Sequence, residues 1–173
     1  MARVYVSVGS NINRERNIRL AIDRLRAEYG RLVVSRVYES NPVGFEGDRF
    51  FNLVIGLDTP HLPGAVVRTL RAIEDQSNRT RGGARYSSRT LDLDLLLYDD
   101  LIIREGGMNI PRGEILQHAF VLRPLAEIAG DRHHPIERRT FAQLWAEFDN
   151  TEQDIWVVPF DTLVDDNGGK PTP

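Results

Sequence analysis

Four arginines and two aspartates fall within the sixteen residues from Arg79 to Asp94, RTRGGARYSSRTLDLD. The spacing of each set suggests a chemistry. Arg79, Arg81, Arg85 and Arg89 have no acid between them, so the stretch is strongly cationic in a chain whose formal net charge is only −3. Guanidinium groups are planar donors matched to phosphate oxygens. Beyond them Leu91, Leu93, Leu95 and Leu97 alternate with Asp92, Asp94, Leu96 and Tyr98, the period of a strand with one apolar face. Carboxylates two residues apart on a strand share a face, roughly 6 to 7 Å apart at the backbone. Their side chains can converge on one or two hard cations. Mg²⁺ typically takes one or two carboxylates and fills its remaining positions with water and phosphate oxygens. The combination reads as a site for polyphosphate and metal. A loop of Arg, Gly and Ser can also be a plain solvated connection, and since Lys170 is the only lysine the choice of arginine carries no information. The aspartate pair tips the balance, because two carboxylates on a leucine-rich strand are costly if that face is buried without a partner.

The elements that position these residues follow from periodicity. Arg3 to Val8 is predicted as a first strand running into the turn signal Gly9-Ser10-Asn11, where Gly9 either makes a tight turn or lets a ligand approach the backbone. Ile18, Ala21, Ile22, Leu25 and Tyr29 have helical spacing, with Gly30 at the C-cap position. Leu32 to Tyr38 is a second strand, followed by the loop Asn41 to Asp48 with its aromatic Phe45. Phe50 to Asp58 is a third strand that places Phe50 and Asn52 on one face, where an amide beside an aromatic ring can read a flat heterocycle. Leu62 to Gln76 is a second helix, with Glu74 on its buried stripe as a candidate nucleotide or arginine contact. The strand Leu91 to Tyr98, a turn at Asp99-Asp100 and a short strand Leu101 to Ile103 complete the order β-α-β-β-α-β. That order is the ferredoxin-like α/β (α+β) arrangement, with helices on one face of an antiparallel sheet and the other face free for a site. Short helices are predicted at Arg112 to Gln117 and Leu125 to Ala129. A last amphipathic helix carrying Phe141, Leu144, Trp145 and Phe148 forms a C-terminal helical extension.

At 173 residues and 41% hydrophobic, the chain suits a single domain over residues 1–160 with a disordered tail over 161–173. The absence of cysteine excludes disulfides, thiolate zinc sites and thiol catalysis. No signal peptide or membrane-length apolar run stands out, so a cytoplasmic protein is expected. His133 and His134 are adjacent and lack an obvious third ligand, which argues against a shared tetrahedral metal site. The phosphate-binding GxxxxGK[ST] loop is missing, which leaves arginines and metal to hold any nucleotide.

Taken together, Val8-Gly9-Ser10-Asn11, Phe50-Phe51-Asn52, Glu74 with the four arginines, Arg89-Thr90-Leu91-Asp92-Leu93-Asp94 and Phe120-Val121-Leu122 before Pro124-Leu125 resemble the 6-hydroxymethyl-7,8-dihydropterin pyrophosphokinases of folate biosynthesis. The resemblance covers about residues 3–149. It implies transfer of pyrophosphate from MgATP to the pterin hydroxymethyl group with release of AMP. It further implies that Asp92 and Asp94 hold two Mg²⁺ ions and act catalytically with Arg79 and Arg89. Glu74, Arg81, Arg85, Arg112 and His118 would bind ATP, while Ser40, Val43, Phe50, Asn52, Tyr86 and Phe120 would contact the pterin, with the ring between Phe50 and Phe120. Two positions depart from the pattern, which usually has His where Arg112 stands and Arg where His118 stands. Tyr86 replaces a frequent Trp.

Small-molecule substrates, a monomeric state, and neither nucleic acid nor membrane as partner are therefore expected. Two alternatives remain. One is a divergent paralogue acting as a Mg²⁺-dependent phosphotransferase on a related substrate. The other is an RNA-binding ferredoxin-like module, opposed by the net charge of −3 and the acidic pair.

Overall fold

The structure, a computed structural model, describes residues 1–77, the backbone of 78 and 79, and residues 91–161. Its strands are β1 (Ala2–Ser10), β2 (Leu32–Val34), β3 (Val37–Ser40), β4 (Phe50–Thr59), β5 (Asp92–Tyr98) and β6 (Ile155–Val158). Its helices are α1 (Arg14–Tyr29), α2 (Pro63–Arg79), α3 (Glu114–Gln117), α4 (Ala119–Ala129) and α5 (Phe141–Glu147). The strands form one antiparallel sheet in the order β5-β1-β4-β3-β6, with β2 also paired to β4. The βαββαβ core is thus present, with β1 and β4 central and β5, which carries the aspartates, at one edge.

One sheet face is built from Val4, Val6, Val8, Leu53, Ile55, Leu57, Leu93 and Leu95, packed against Ile18, Ala21, Ile22 and Leu25 of α1 and Val66, Leu70 and Ile73 of α2. This is the apolar face that period-two alternation selects. The opposite face, expected to be open, is roofed in part: Tyr5, Val54, Leu96 and Leu97 pack beneath Val121, Leu122 and Leu125 of α4 and Phe141 of α5. Only the end of that face remains accessible.

Five further sequence expectations are corrected. The second strand divides at Ser35, because Tyr38 pairs with Asn52 whereas Val34 pairs with Ile55, leaving one extra residue opposite β4. Ser35 fills the break: its N–H donates to the Val54 carbonyl at 3.0 Å and its Oγ accepts the Val54 N–H at 2.9 Å. The alternation along β5 fails at a bulge, where Tyr5 pairs with Leu97 and Val6 with Leu95. Leu96 and Leu97 both pack under α4, and Tyr98 returns to the core side. The strand expected at Leu101 to Ile103 reduces to a single bridge, Ile103 to Ile110. Finally, α4 starts six residues before Leu125 and contains Pro124, and β6 pairs with β3 at a place where no strand was expected. Apart from Asp161, the tail expectation lies outside the described residues, as do those for Arg81, Arg85, Tyr86 and Arg89 and the side chain of Arg79.

Two buried polar knots steady this frame. Asn17 donates to the Ile12 carbonyl at 2.7 Å and to Ser10 Oγ at 3.3 Å, and accepts from Ser77 Oγ at 2.9 Å. The end of β1, α1 and the last turns of α2 are thereby tied together just before the arginine-rich stretch. His134 is the second knot: its Nδ1 accepts the N–H groups of Ile136 and Glu137, each at 3.1 Å, and its ring lies edge-on to Phe141. Burial, the largest cause, pushes the imidazole below its usual range, and protonating Nδ1 would abolish both acceptor bonds. The unfolded chain therefore binds this proton more readily. Stability from this group is complete above about pH 6.5 and declines as pH falls below it. The thermal midpoint is expected to drop as pH falls below about 6.5, and His134→Asn, which keeps an acceptor but cannot titrate, should flatten that decline.

Candidate functional site

The accessible end of the sheet carries a cleft of about 250 Å³. Its floor is set by register: Asn52, Gly9 and Asp92 occupy one row across β4, β1 and β5, and Val54, Ser7 and Asp94 the next. Strands are spaced about 4.8 Å apart, so Asn52 and Asp92 stand roughly 10 Å apart at the backbone. That separation accommodates a bicyclic ring and a short arm between an amide and a carboxylate. Gly9 makes the span possible. A Cβ there would lie 3.1 Å from Asn52 Oδ1, so any side chain would fill the middle of the floor. Asn52 Nδ2 donates to Ser40 Oγ at 2.8 Å, and both groups are buried. This fixes the amide orientation and points its acceptor along the floor.

The walls are aromatic. Phe50, at the start of β4, rests edge-on against Phe45 of the preceding loop, with ring centroids 6.2 Å apart. Phe120, in the first turn of α4, is stacked with His118 at 4.9 Å and an interplanar angle of 10°. Both phenylalanines are half-buried and line the cleft. Val43 stands on its rim, 59% exposed. Of the residues proposed for a pterin, Ser40, Val43, Phe50, Asn52 and Phe120 thus surround one space, together with Asp92, Asp94, Arg112 and His118.

A second, polar cleft of about 340 Å³ opens on the outer side of β5, lined by residues of α2, β5 and the segment from Gly107 to Arg112. Glu74 belongs here: its Oε1 accepts the Leu93 N–H at 2.7 Å, so it is tied to the aspartate strand itself. Asp94 and Arg112 line both clefts and form the divide between them. Arg112 makes a two-pronged pair with Glu114, Nε to Oε2 at 3.1 Å and Nη2 to Oε1 at 2.9 Å, while Nη2 lies 3.8 Å from Asp94 Oδ1. His118 is not on the second cleft; it sits beside Phe120 in the first.

As to metal, the described residues contain no group of three or more His, Asp, Glu or Cys side chains arranged as ligands. The pair Asp92 and Asp94 offers two hard oxygen donors at the head of an accessible strand. This suits Mg²⁺, which leaves most of its coordination to water and substrate phosphate, and does not suit an all-protein Ca²⁺ or Zn²⁺ cage.

Among the lining residues without a role assigned from the sequence, four carry polar or aromatic side chains: Ser7, Asn41, Phe45 and Glu114. Phe45 and Asn41 carried a signal, in a loop rich in turn residues ahead of the third strand. Glu114 had none, since its role depends on where Arg112 points.

Residues 5–130 match the model of the 7,8-dihydro-6-hydroxymethylpterin-pyrophosphokinase family. The chain belongs to this family. It is similar to the 2-amino-4-hydroxy-6-hydroxymethyldihydropteridine pyrophosphokinase of Pseudomonas aeruginosa, at 40% identity over 137 residues, 77% of this chain and 84% of the relative. The enzyme of the same name from Bacillus subtilis is 36% identical over 128 residues, 72% of this chain and 76% of that one. Membership makes the chain an enzyme of the pyrophosphokinase class. Among solved structures, the wild-type Plasmodium falciparum HPPK-DHPS crystallised with pterin and p-hydroxybenzoate superposes with a TM-score of 0.68 at 13% identity, over 85% of this chain and 43% of that one. The chain spans a little under half of that larger protein, and the likeness bears on the pyrophosphokinase-family fold, which is the ferredoxin-like one described above.

Proposed function

We propose that this pyrophosphokinase-family chain transfers pyrophosphate from MgATP to the hydroxymethyl group of 6-hydroxymethyl-7,8-dihydropterin, giving the pterin diphosphate and AMP for folate synthesis. The observation that carries this reading is a single cleft in which a locked amide, two aromatic walls and a carboxylate pair share one floor. A flat heterocycle fits between Phe50 and Phe120, with its polar edge on Asn52 and Ser40 and its hydroxymethyl arm toward Asp92 and Asp94. ATP fits the second cleft, with Glu74 along its wall and its phosphates crossing at Asp94 and Arg112.

In this arrangement the pterin alcohol attacks the β-phosphorus in line, the bond to the α-phosphate bridging oxygen breaks, and AMP leaves with that oxygen. The protein contributes mainly position and charge. Phe50, Phe120 and Asn52 fix the ring, and Arg112 faces the polyphosphate. Arg79, Arg81, Arg85 and Arg89 are assigned to the phosphates, Arg79 and Arg89 to the transferred group, and Tyr86 to a cover over the pterin. Asp92 and Asp94 would hold Mg²⁺, two ions in this reading, which when bound neutralises phosphate charge and eases ionisation of the alcohol.

This reading also takes the chain as a cytoplasmic monomer that handles two small molecules and neither nucleic acid nor membrane. Among the described residues no helix is long and apolar enough to cross a bilayer. The replacement pattern at Arg112 and His118 favours one competing reading, a paralogue using another alcohol. Product analysis of the purified chain with MgATP separates them. Pterin-dependent release of AMP, absent without divalent metal, is expected; ADP as product, or AMP release indifferent to the pterin, overturns the assignment.

A further inference from the structure

Arg112 is shared by two carboxylates unequally. Both prongs of its fork, through Nε and Nη2, go to Glu114 at 3.1 and 2.9 Å, whereas Asp94 Oδ1 lies at 3.8 Å from the same Nη2. That separation is an ion pair beyond hydrogen-bonding reach. Nη2 carries a second hydrogen, so a move of only about 1 Å would bring it to the 2.7–2.9 Å of a charge-assisted bond on Asp94. The backbone does not oppose this: Arg112 N–H is anchored on the Leu96 carbonyl at 3.1 Å and Glu114 begins α3, so only the side chain need swing. All three side chains are partly exposed, at 31% for Arg112, 49% for Asp94 and 40% for Glu114, and such pairs are easily exchanged.

We propose that Glu114 is a positioning residue that holds the Arg112 guanidinium back from Asp94, and that Arg112 released from Glu114 competes with a divalent cation for that carboxylate. Glu114 thereby keeps a strong cation at the divide between the two clefts without letting it occupy a metal ligand. The inference rests on reading Asp94 as a metal ligand, and it adds a residue whose charge sets how available that ligand is. An uncharged isostere should suffice to upset the balance.

The test is Mn²⁺ binding to the full, unliganded chain, followed by the electron paramagnetic resonance signal of free Mn²⁺. Glu114→Gln is expected to weaken Mn²⁺ binding roughly tenfold, the lower end of what outer-shell changes do to metal affinity. Adding Arg112→Met to that variant should restore wild-type affinity or better, which a misfolded site could not do. Wild-type affinity in Glu114→Gln, or a double variant that stays weak, overturns the proposal. So does a wild type that binds no Mn²⁺, since Asp94 would then not be held available. Asp94→Asn separates the two layers. If it binds Mn²⁺ like the wild type, the metal assignment itself fails. If it loses Mn²⁺ while Glu114→Gln is unaffected, only the positioning role fails.

Discussion

Asp92→Ala and Asp94→Ala are each expected to lower turnover by at least about 10²–10³-fold, the range seen when one preorganised charge-stabilising group is removed. The thermal midpoint should move by less than about 2 °C. The two side chains are half-exposed at the head of β5, and their leucine neighbours Leu91, Leu93 and Leu95 do the packing. In the proposed mechanism, catalysis and stability are therefore carried by opposite faces of one strand. The loss should appear in kcat at saturating substrates and should not be repaired by excess pterin. Steady-state kinetics over a Mg²⁺ titration, with calorimetry on the same preparations, checks both halves. Full activity in either variant would remove the carboxylates from the mechanism.

The second large effect is expected at the aromatic walls. Phe50→Ala and Phe120→Ala should each weaken pterin binding by about 1–3 kcal/mol, a rise in its KM of roughly five- to 150-fold, through lost ring contact and apolar area. ATP affinity should be little changed, because neither ring lines the second cleft. Both rings are half-buried in the unliganded protein, so they are not core residues whose truncation opens a cavity. A fall in thermal stability with unchanged pterin KM would reassign them to packing. Phe120 gives the sharper test, since His118 is stacked with it and its truncation should also loosen the imidazole.

Much of this was readable in the sequence where a pattern had one meaning. Leucine alternating with aspartate over Leu91 to Leu95 fixes which face of β5 meets the helices, and the same logic places Asn52 opposite Leu53 on β4. The pattern is silent where both faces are apolar. Leu95-Leu96-Leu97 satisfies any register, so the bulge that turns Leu97 and Tyr98 over could not be seen. Ser35 was hidden for a different reason: its side chain replaces strand hydrogen bonds that periodicity assumes the backbone will make. A helix was expected from Leu125, whereas α4 begins at Ala119 and accommodates Pro124 inside its span. The spacing of the arginines already pointed to phosphate, whereas the family resemblance supplied their separate roles and Phe120, which no local pattern would have assigned. The division into two clefts, and the Glu114 partnership, depend on contacts across the sheet edge and had no local signature.

The short strand β6 has a consequence beyond its contribution to the sheet. It lies along the outer side of β3, pairing Val37 to Ser40 with residues 155–158, and so covers the edge of the strand that presents Ser40 to the cleft. Without those four residues β3 would offer a row of unpaired backbone donors and acceptors, the kind of template on which chains associate and aggregate. Solubility on one side of the molecule is therefore entrusted to a segment far along the chain, joined to the rest after α5. During synthesis β3 emerges more than a hundred residues before its cover does, so the nascent chain passes through an interval in which that edge is open to the wrong partner.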